Sequence, residues 1–467
     1  MSGQDLIDAG MGQGKWFRDA LEAANRVLSD GGSTADALTV ARGYQPGPTL
    51  SLKASNDVLI HMNIRAEDAF EQDNIDKVSA TMRELSRTPV VRASAIMPDA
   101  CPSGPVGTIP VGGVVASEAI HPGMHSADIC CSMAISIFPG VEPKALLDAV
   151  HAVTHFGPGG RPRGAQIKPS EATLLAFQAN PFLKEILSVG IDHFATQGDG
   201  NHFAYVGQMK STGETALVTH HGSRAPGARL YERGMKIANR FRDVLSPETH
   251  RENAWIPADS EEGEMYWSAL QTIRQWTKEN HYAIHDMTAE KLSAKVSDRF
   301  WNEHNFVFRK SDGLFYHGKG ATPAFDNWAE DATDLTIIPL NMAEPILIVR
   351  GSNAPHGLGF SPHGAGRNFS RTAHIRRLGE EFGADSRGLS PNNIAAVMER
   401  ETSGLDARFF SGVPDISELP SAYKNAANVR SQIEHYGLAE VVDEVIPYGS
   451  IMAGDWLKDA PWRKKRR

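Results

Sequence analysis

The chain is poor in cysteine, has no long apolar run and carries no surplus of positive charge. Only three cysteines occur in 467 residues: Cys101, Cys130 and Cys131. Adjacent cysteines seldom pair with each other, so no disulfide framework is expected and the thiols are left for packing or for chemistry. No stretch approaches the roughly 20 apolar residues that a bilayer-spanning helix needs, so no membrane partner is expected. The opening MSGQDLIDAGMGQGKWF lacks the basic-then-apolar pattern of a secretory leader. These absences set a cytoplasmic location as the expectation. The formal charge is −9, from 47 Lys and Arg against 56 Asp and Glu. That argues against a protein coating nucleic acid non-specifically, because phosphate affinity comes from basic side chains. Room remains for a local groove, built from Arg161, Arg163 and Lys168 or from Arg224, Arg229, Arg233, Lys236, Arg240 and Arg242. Read alone, the second run is a solvated helix face, and the closing WRKKRR is a solvated end before it is an arm touching RNA.

What is present is an ordinary globular composition, 41% hydrophobic and 22% charged, long enough to bury a large core. Phe17, Leu21, Ala24 and Leu28 recur at helical spacing, which predicts a helix from about Lys15 to Asp30, stopped by Gly31-Gly32. A second helix is expected over Asp73–Ser86. The texture then turns to short β-like runs, VVRASAIM, GTIPVGGVV, CSMAISIF, ALVTHH and ILIVRG. Helical patterns fall between and after them, at ARLYERGMKIANRFRDVL, EMYWSALQTIRQWTKENHYAIHDM, Asn392–Glu399 and Lys424–Tyr436. No repeat, low-complexity tract or long linker divides the chain. One large mixed α/β domain is the economical reading, over residues 61–454, with a helical segment at 1–60 that belongs to it or is appended, and a basic tail at 455–467.

Five segments read as β-like runs ending in glycine-rich, histidine-bearing turns. They are SADICCSM with Asp128, Cys130 and Cys131; GDGNHF with Asn201 and His202; VTHHGSR with His220, His221 and Arg224; NEHNF with His304 and Asn305; and PHGAGR with His363 and Arg367. Each alone has a plain explanation: a hydrogen-bonded structural histidine, a tight turn, a small buried thiol. Together, one carboxylate, one thiolate and several imidazoles suit zinc, manganese, iron or cobalt better than magnesium or calcium. The glycines let backbone amides approach an anion, and Arg224 and Arg367 can grip phosphate. The residues themselves thus point to a metal-dependent enzyme acting on a phosphate-bearing substrate, with hydrolysis and transfer both open.

These segments, in this order, resemble the RtcB family of RNA-splicing ligases. The likeness includes AIMPDACPSG, the GKGA of YHGKGATPA, IIPLNMA and AYK at Ala422–Lys424, and covers the chain from about Val90 to Gly454. The resemblance implies an enzyme joining an RNA 3′-phosphate or 2′,3′-cyclic phosphate end to a 5′-hydroxyl end, in RNA repair or tRNA splicing. GTP first guanylylates a histidine, here His363. Two manganese ions are bridged by the cysteine, with Asp128, Cys131, His202, His220 and His304 as the matching ligands. The matching nucleotide-site residues are Asn201, Phe203, Arg224, Asn341, Arg367 and Tyr423; Asn201 would contact phosphate near the metals, and Phe203 and Tyr423 could sandwich the base. Asp99 could hold the His363 ring in the attacking tautomer. The metal cleft is expected among strand-end loops. RNA ends and a nucleoside triphosphate are the implied partners, with room for a helper protein.

Departures from the family's pattern cluster on the nucleotide. Tyr205 stands where a glutamate usually reads guanine, and Ala453 where a lysine usually closes the pocket. Asn341 replaces a serine, Leu340 and Ala343 replace glycines, Gly318 an arginine and Cys101 a histidine. Lys458 could reach back to replace the lost lysine. These changes leave the base open, and they keep two alternatives in play: a metal-dependent phosphoesterase and a non-ligating protein that binds RNA ends. His125, His193, His221, His317 and His356 lie near the motifs without being expected as ligands, although His317 sits where a phosphate contact could arise. Cys130 is expected to pack.

Overall fold

Several helices begin at a side chain that caps them. In the computed structural model, which describes all residues but 15, 46, 48, 105, 106, 385–388 and 456–467, α1 (Gly3–Asp8) and α3 (Thr34–Gly43) start at Ser2 and Ser33 in reciprocal boxes with Asp5 and Asp36. Such a cap contributes about 1 kcal/mol by occupying an otherwise orphaned backbone N–H. Between them α2 (Phe17–Ser29) falls on the expected stretch and is closed by the Gly32 N–H to Val27 carbonyl bond. Leu6, Met11, Phe17, Ala20, Ala24, Ala37 and Ala41 give these three helices a core of their own. The chain then docks on the rest through Leu50 and Lys53, whose amides bond the carbonyls of Leu245 and Arg87. The basic tail and Lys458 lie outside the described residues.

After β1 (Ile60–Met62) comes α4 (Ala69–Ser86), one turn longer than expected because Asp68 caps it through the Glu71 N–H. Next are β2 (Val91–Cys101) and β3 (Val111–Ser117). The strand expected over residues 107–115 therefore starts late: Pro110 has no N–H for a ladder, and Gly107 sits at φ +94°. β4 (Ser132–Phe138), α5 (Pro143–Val153), α6 (Glu171–Ala179) and α7 (Leu187–Asp192) precede β5 (Phe203–Met209) and β6 (Thr215–His221). The two long helical patterns form α8 (Arg224–Leu245) and α9 (Glu261–Leu292). β7 (Asp298–Glu303), β8 (Asn305–Arg309), β9 (Phe315–Lys319), β10 (Ala321–Pro323), β11 (Leu335–Ile338), β12 (Ile346–Gly351) and β13 (Phe360–Pro362) follow. The chain ends in α10 (Arg371–Phe382), α11 (Pro391–Thr402), β14 (Asp406–Phe409), α12 (Ala426–His435) and β15 (Ala439–Met452).

The mixed α/β reading holds. One sheet runs β11-β12-β15-β5-β6-β4-β7, with β14 parallel to the end of β15; a second runs β1-β2-β3-β9-β8; β10 and β13 form a short pair. One apolar core joins α5 and α9 to the strands, with Leu147, Trp276, Ala204 and Leu217 fully buried in it. Among the described residues no helix is long and apolar enough to cross a membrane.

Candidate active site

Antiparallel pairing gathers the motif residues at one sheet edge. β4 and β5 start where β6 and β7 end: Ser132 pairs with His221 and with Glu303, and Phe203 pairs with His220. The Asp128–Cys131 and Asn201–His202 turns therefore precede their strands and do not end them, a correction to the sequence reading. Neighbouring antiparallel strands run in opposite directions, so a shared edge takes starts and ends alternately. His220 lies within the last turn of pairing on β6, and His304 sits between β7 and β8.

Two sets of ligand atoms converge there, Cys131 with His220 and His304, and Asp128 with Cys131 and His202. Cys131 Sγ lies 3.2 Å from His220 Nε2 and 3.6 Å from His202 Nε2. The Nε2 atoms of His220 and His304 face each other at 3.2 Å, and Asp128 Oδ2 is 3.4 Å from His202 Nε2. His202 and His220 place Nδ1 against the backbone carbonyls of Gln197, at 2.6 Å, and Asn201, at 3.1 Å. Donation there leaves both Nε2 lone pairs aimed into the cluster, the usual arrangement behind a metal-bound imidazole. Burial pushes His220 down to about 3 and His304 well below its ordinary value, so both rings are neutral donors. Burial and the Asp128 carboxylate push the Cys131 thiol up, and an adjacent cation would favour its thiolate. Donor chemistry, convergence and orientation all fit metal binding, with Cys131 common to both ligand sets. Gly222 makes the approach feasible, since a Cβ there would stand 2.2 Å from Asp128 Oδ1. Asn305 ties the pieces together: its amide donates to the Asp128 carbonyl and accepts from the Gly320 N–H.

His363 follows β13 and stands beside the cluster, its ring centroid 4.9 Å from that of His304. Its Nδ1 donates to Asp99 Oδ2 at 2.6 Å, and its backbone N–H reaches the same oxygen at 3.2 Å. Asp99 is fully buried, carried in by the register shift of β2 between Ile96 and Cys101. Two glycines allow this fit. A Cβ on Gly320 would lie 2.9 Å from the His363 ring, and one on Gly366 would lie 1.9 Å from the Asp99 carbonyl oxygen.

A cavity of about 300 Å³ opens from His363 and His220, lined also by Asn201, Phe203, Asn341, Arg367 and Tyr423. Sequence reasoning missed two of its charged residues, Arg371 and Glu418. Fully buried Glu418 accepts from Arg371 Nε at 2.5 Å, Arg367 NH1 at 3.1 Å and the Tyr423 hydroxyl at 2.5 Å. The four-residue spacing of Arg367 and Arg371 was the available signal; nothing local marks Glu418. Arg367 also donates from NH2 to the Ser417 carbonyl and from Nε to the Phe369 carbonyl, so its guanidinium braces the His363 loop.

Arg224 is not among the residues lining this cavity. It crosses Gly198, where a Cβ would lie 1.8 Å from NH1, and donates to the Gly157 carbonyl, outside the cavity lining. Arg229, Arg233, Arg240 and Arg242 pair with acidic neighbours, as a solvated helix face does. Lys319 donates to Ser103 and the Ile109 carbonyl. The histidines set aside as non-ligands are absent from the clusters found among the described residues: His125 meets Tyr266, His221 stacks on His281, His356 meets the Tyr436 carbonyl, and His317 accepts from the His121 N–H. That last contact is fully buried, and His317 is not among the residues lining the cavity. Cys130 is packed in the core.

A fold with a shared-sulfur ligand cluster beside a carboxylate-held histidine defines a narrow class of proteins, and sequence comparison agrees with it. The profile of the family described as tRNA-splicing ligase RtcB matches residues 163–453. The chain belongs to the RtcB family. A tRNA-splicing ligase RtcB of Thermococcus kodakarensis is 28% identical over 336 residues, 63% of this chain and 64% of that protein. One from Aeropyrum pernix is 27% identical over 307 residues, covering 56% and 59%. The RNA-splicing ligase RtcB of Mycobacterium bovis is 22% identical over 437 residues, covering 78% and 97%. The chain thus spans less than two thirds of the length of these archaeal relatives and almost all of the mycobacterial one.

Proposed function

We propose that the chain is an RNA ligase that joins a 3′-phosphate, or a 2′,3′-cyclic phosphate opened to it, to a 5′-hydroxyl. It works through a nucleotide carried on His363, with two manganese ions bound, in the repair or splicing of broken RNA. One observation carries this reading: the Asp99 contact fixes His363 Nδ1 as the donor, which leaves Nε2 as a free lone pair beside the metal-ligand cluster.

Metal ions held by the two ligand sets would withdraw charge from the phosphoryl oxygens and steady the leaving group. The protein's own part is alignment. Asn201, at the turn leading into β5, and the backbone of the His363 loop line the cavity where the triphosphate would lie. His363 Nε2 forms a P–N bond to the α-phosphorus as the P–O bond to pyrophosphate breaks. The proton stays on Nδ1, hydrogen-bonded to the Asp99 carboxylate, which stabilises the positive charge that the ring gains. The nucleoside monophosphate then passes to an oxygen of the RNA 3′-phosphate, and His363 is released. Attack by the 5′-hydroxyl oxygen on the activated phosphorus expels the monophosphate and closes the strand.

Purified protein incubated with manganese and α-labelled GTP or ATP should retain label covalently, and His363→Ala should not. No label from either nucleotide, on protein that still binds manganese, would overturn the ligase reading in favour of a phosphoesterase.

A further inference from the structure

The floor of the cavity is a pair of neighbouring strands. On β5 and β15, Phe203 pairs with Met452 and Tyr205 with Ser450, and all four residues line the cavity. Tyr205 is two residues beyond Phe203, so it lies about 7 Å further from the ligand cluster along the strand. Leu340, Met342 and Ile346 add apolar surface to the lining. This is where the base of a nucleotide would lie if its α-phosphate met His363, and the inference rests on that reading of the cavity.

Guanine differs from adenine by presenting two neighbouring donors, N1–H and the 2-amino group, that need acceptors when buried, where adenine has an acceptor at N1 and its amino group at C6. The wall supplies few. Glu418 is the one carboxylate among the described lining residues, and both its oxygens are already engaged by Arg367, Arg371 and Tyr423. The Tyr205 hydroxyl donates to the Val445 carbonyl at 2.9 Å, and burial keeps that hydroxyl protonated. Asn341 Oδ1 accepts from the Ala343 N–H, which leaves its amide as a donor. The strand carbonyls alongside are engaged by sheet neighbours on both sides, β15 by β5 and β14, and β5 by β15 and β6.

We infer that this pocket does not read guanine and binds adenine nucleotides at least as tightly as guanine nucleotides. The base is held by its faces and by apolar contact, which every purine offers equally. A pocket built to pair the guanine edge would instead reject adenine by orders of magnitude, through its own unpaired acceptors.

Equilibrium binding of the α,β-methylene analogues of ATP and GTP to the wild-type chain with manganese tests this without requiring turnover. A dissociation constant for the ATP analogue equal to or below that for the GTP analogue is the expected result. A clear preference for the GTP analogue, or binding of neither, would overturn it. Equal binding without covalent label from ATP or GTP would sink the ligase reading and leave this inference standing. Label from GTP with binding of the GTP analogue alone would do the reverse.

Discussion

Asp99→Asn separates the roles of the histidine and the metal cluster. The substitution keeps shape and burial but removes the charge that receives the His363 Nδ1–H at 2.6 Å and the His363 backbone N–H at 3.2 Å. An asparagine presenting its amide would donate where Asp99 accepts and would favour the tautomer with the proton on the attacking nitrogen. A charge-assisted hydrogen bond of this kind is worth roughly 1.5–3 kcal/mol, which corresponds to a loss of about 10- to 150-fold in the rate of nucleotide transfer to His363. The assay is single-turnover label incorporation at saturating nucleotide, with manganese stoichiometry and thermal midpoint measured on the same preparation. Asp99 is outside both ligand sets, so metal binding should persist. A transfer rate within twofold of wild type, on folded and metal-bound protein, would refute the assignment of Asp99 as the residue orienting His363.

Other outcomes follow from the same geometry. Cys131→Ser removes the donor common to both ligand sets and should weaken binding of two manganese equivalents, whereas His304→Ala should weaken one; elemental analysis after dialysis distinguishes them. Gly320→Ala would push a methyl group toward His363 at a residue with φ +61°, so transfer should fall at least about tenfold with manganese still bound. Trp276→Ala empties a fully buried site on α9 and frees the Gly190 carbonyl, at a cost of about 3–5 kcal/mol in urea unfolding. Burial depresses His121 and His125 to about 4 and His285 to about 3. The unfolded chain therefore binds more protons below pH about 6.5, and each such histidine removes up to about 1.4 kcal/mol of stability per pH unit as pH falls toward those values. Urea midpoints should be level from neutral to mildly alkaline pH and drop steeply below it; an unchanged midpoint in acid would contradict this.

Much of the ligand cluster was legible because most of its residues sit in short turns: Asp128 and Cys131 are three apart, and His202 and His304 each adjoin an asparagine. The contact between Asp99 and His363 was legible from a likeness alone, since 264 residues separate them. The intramolecular partners of Arg224 and Arg367 were not, because Gly157 and Glu418 are distant from them in the chain. Strands were read where apolar runs were continuous, as at Ile346–Gly351, and missed where the sheet buries mixed residues, as in β7 and β15. Pro110 and Asp68 moved two element starts through backbone hydrogen bonding, which hydrophobic pattern does not register.

The central claim is a nucleotide on one histidine, and peptide mapping of protein incubated with manganese and nucleotide tests it most directly. The account requires a nucleoside monophosphate on the peptide containing His363, lost in acid and stable in base, as a P–N bond is. An adduct on any other residue, or none on manganese-loaded protein, would contradict it.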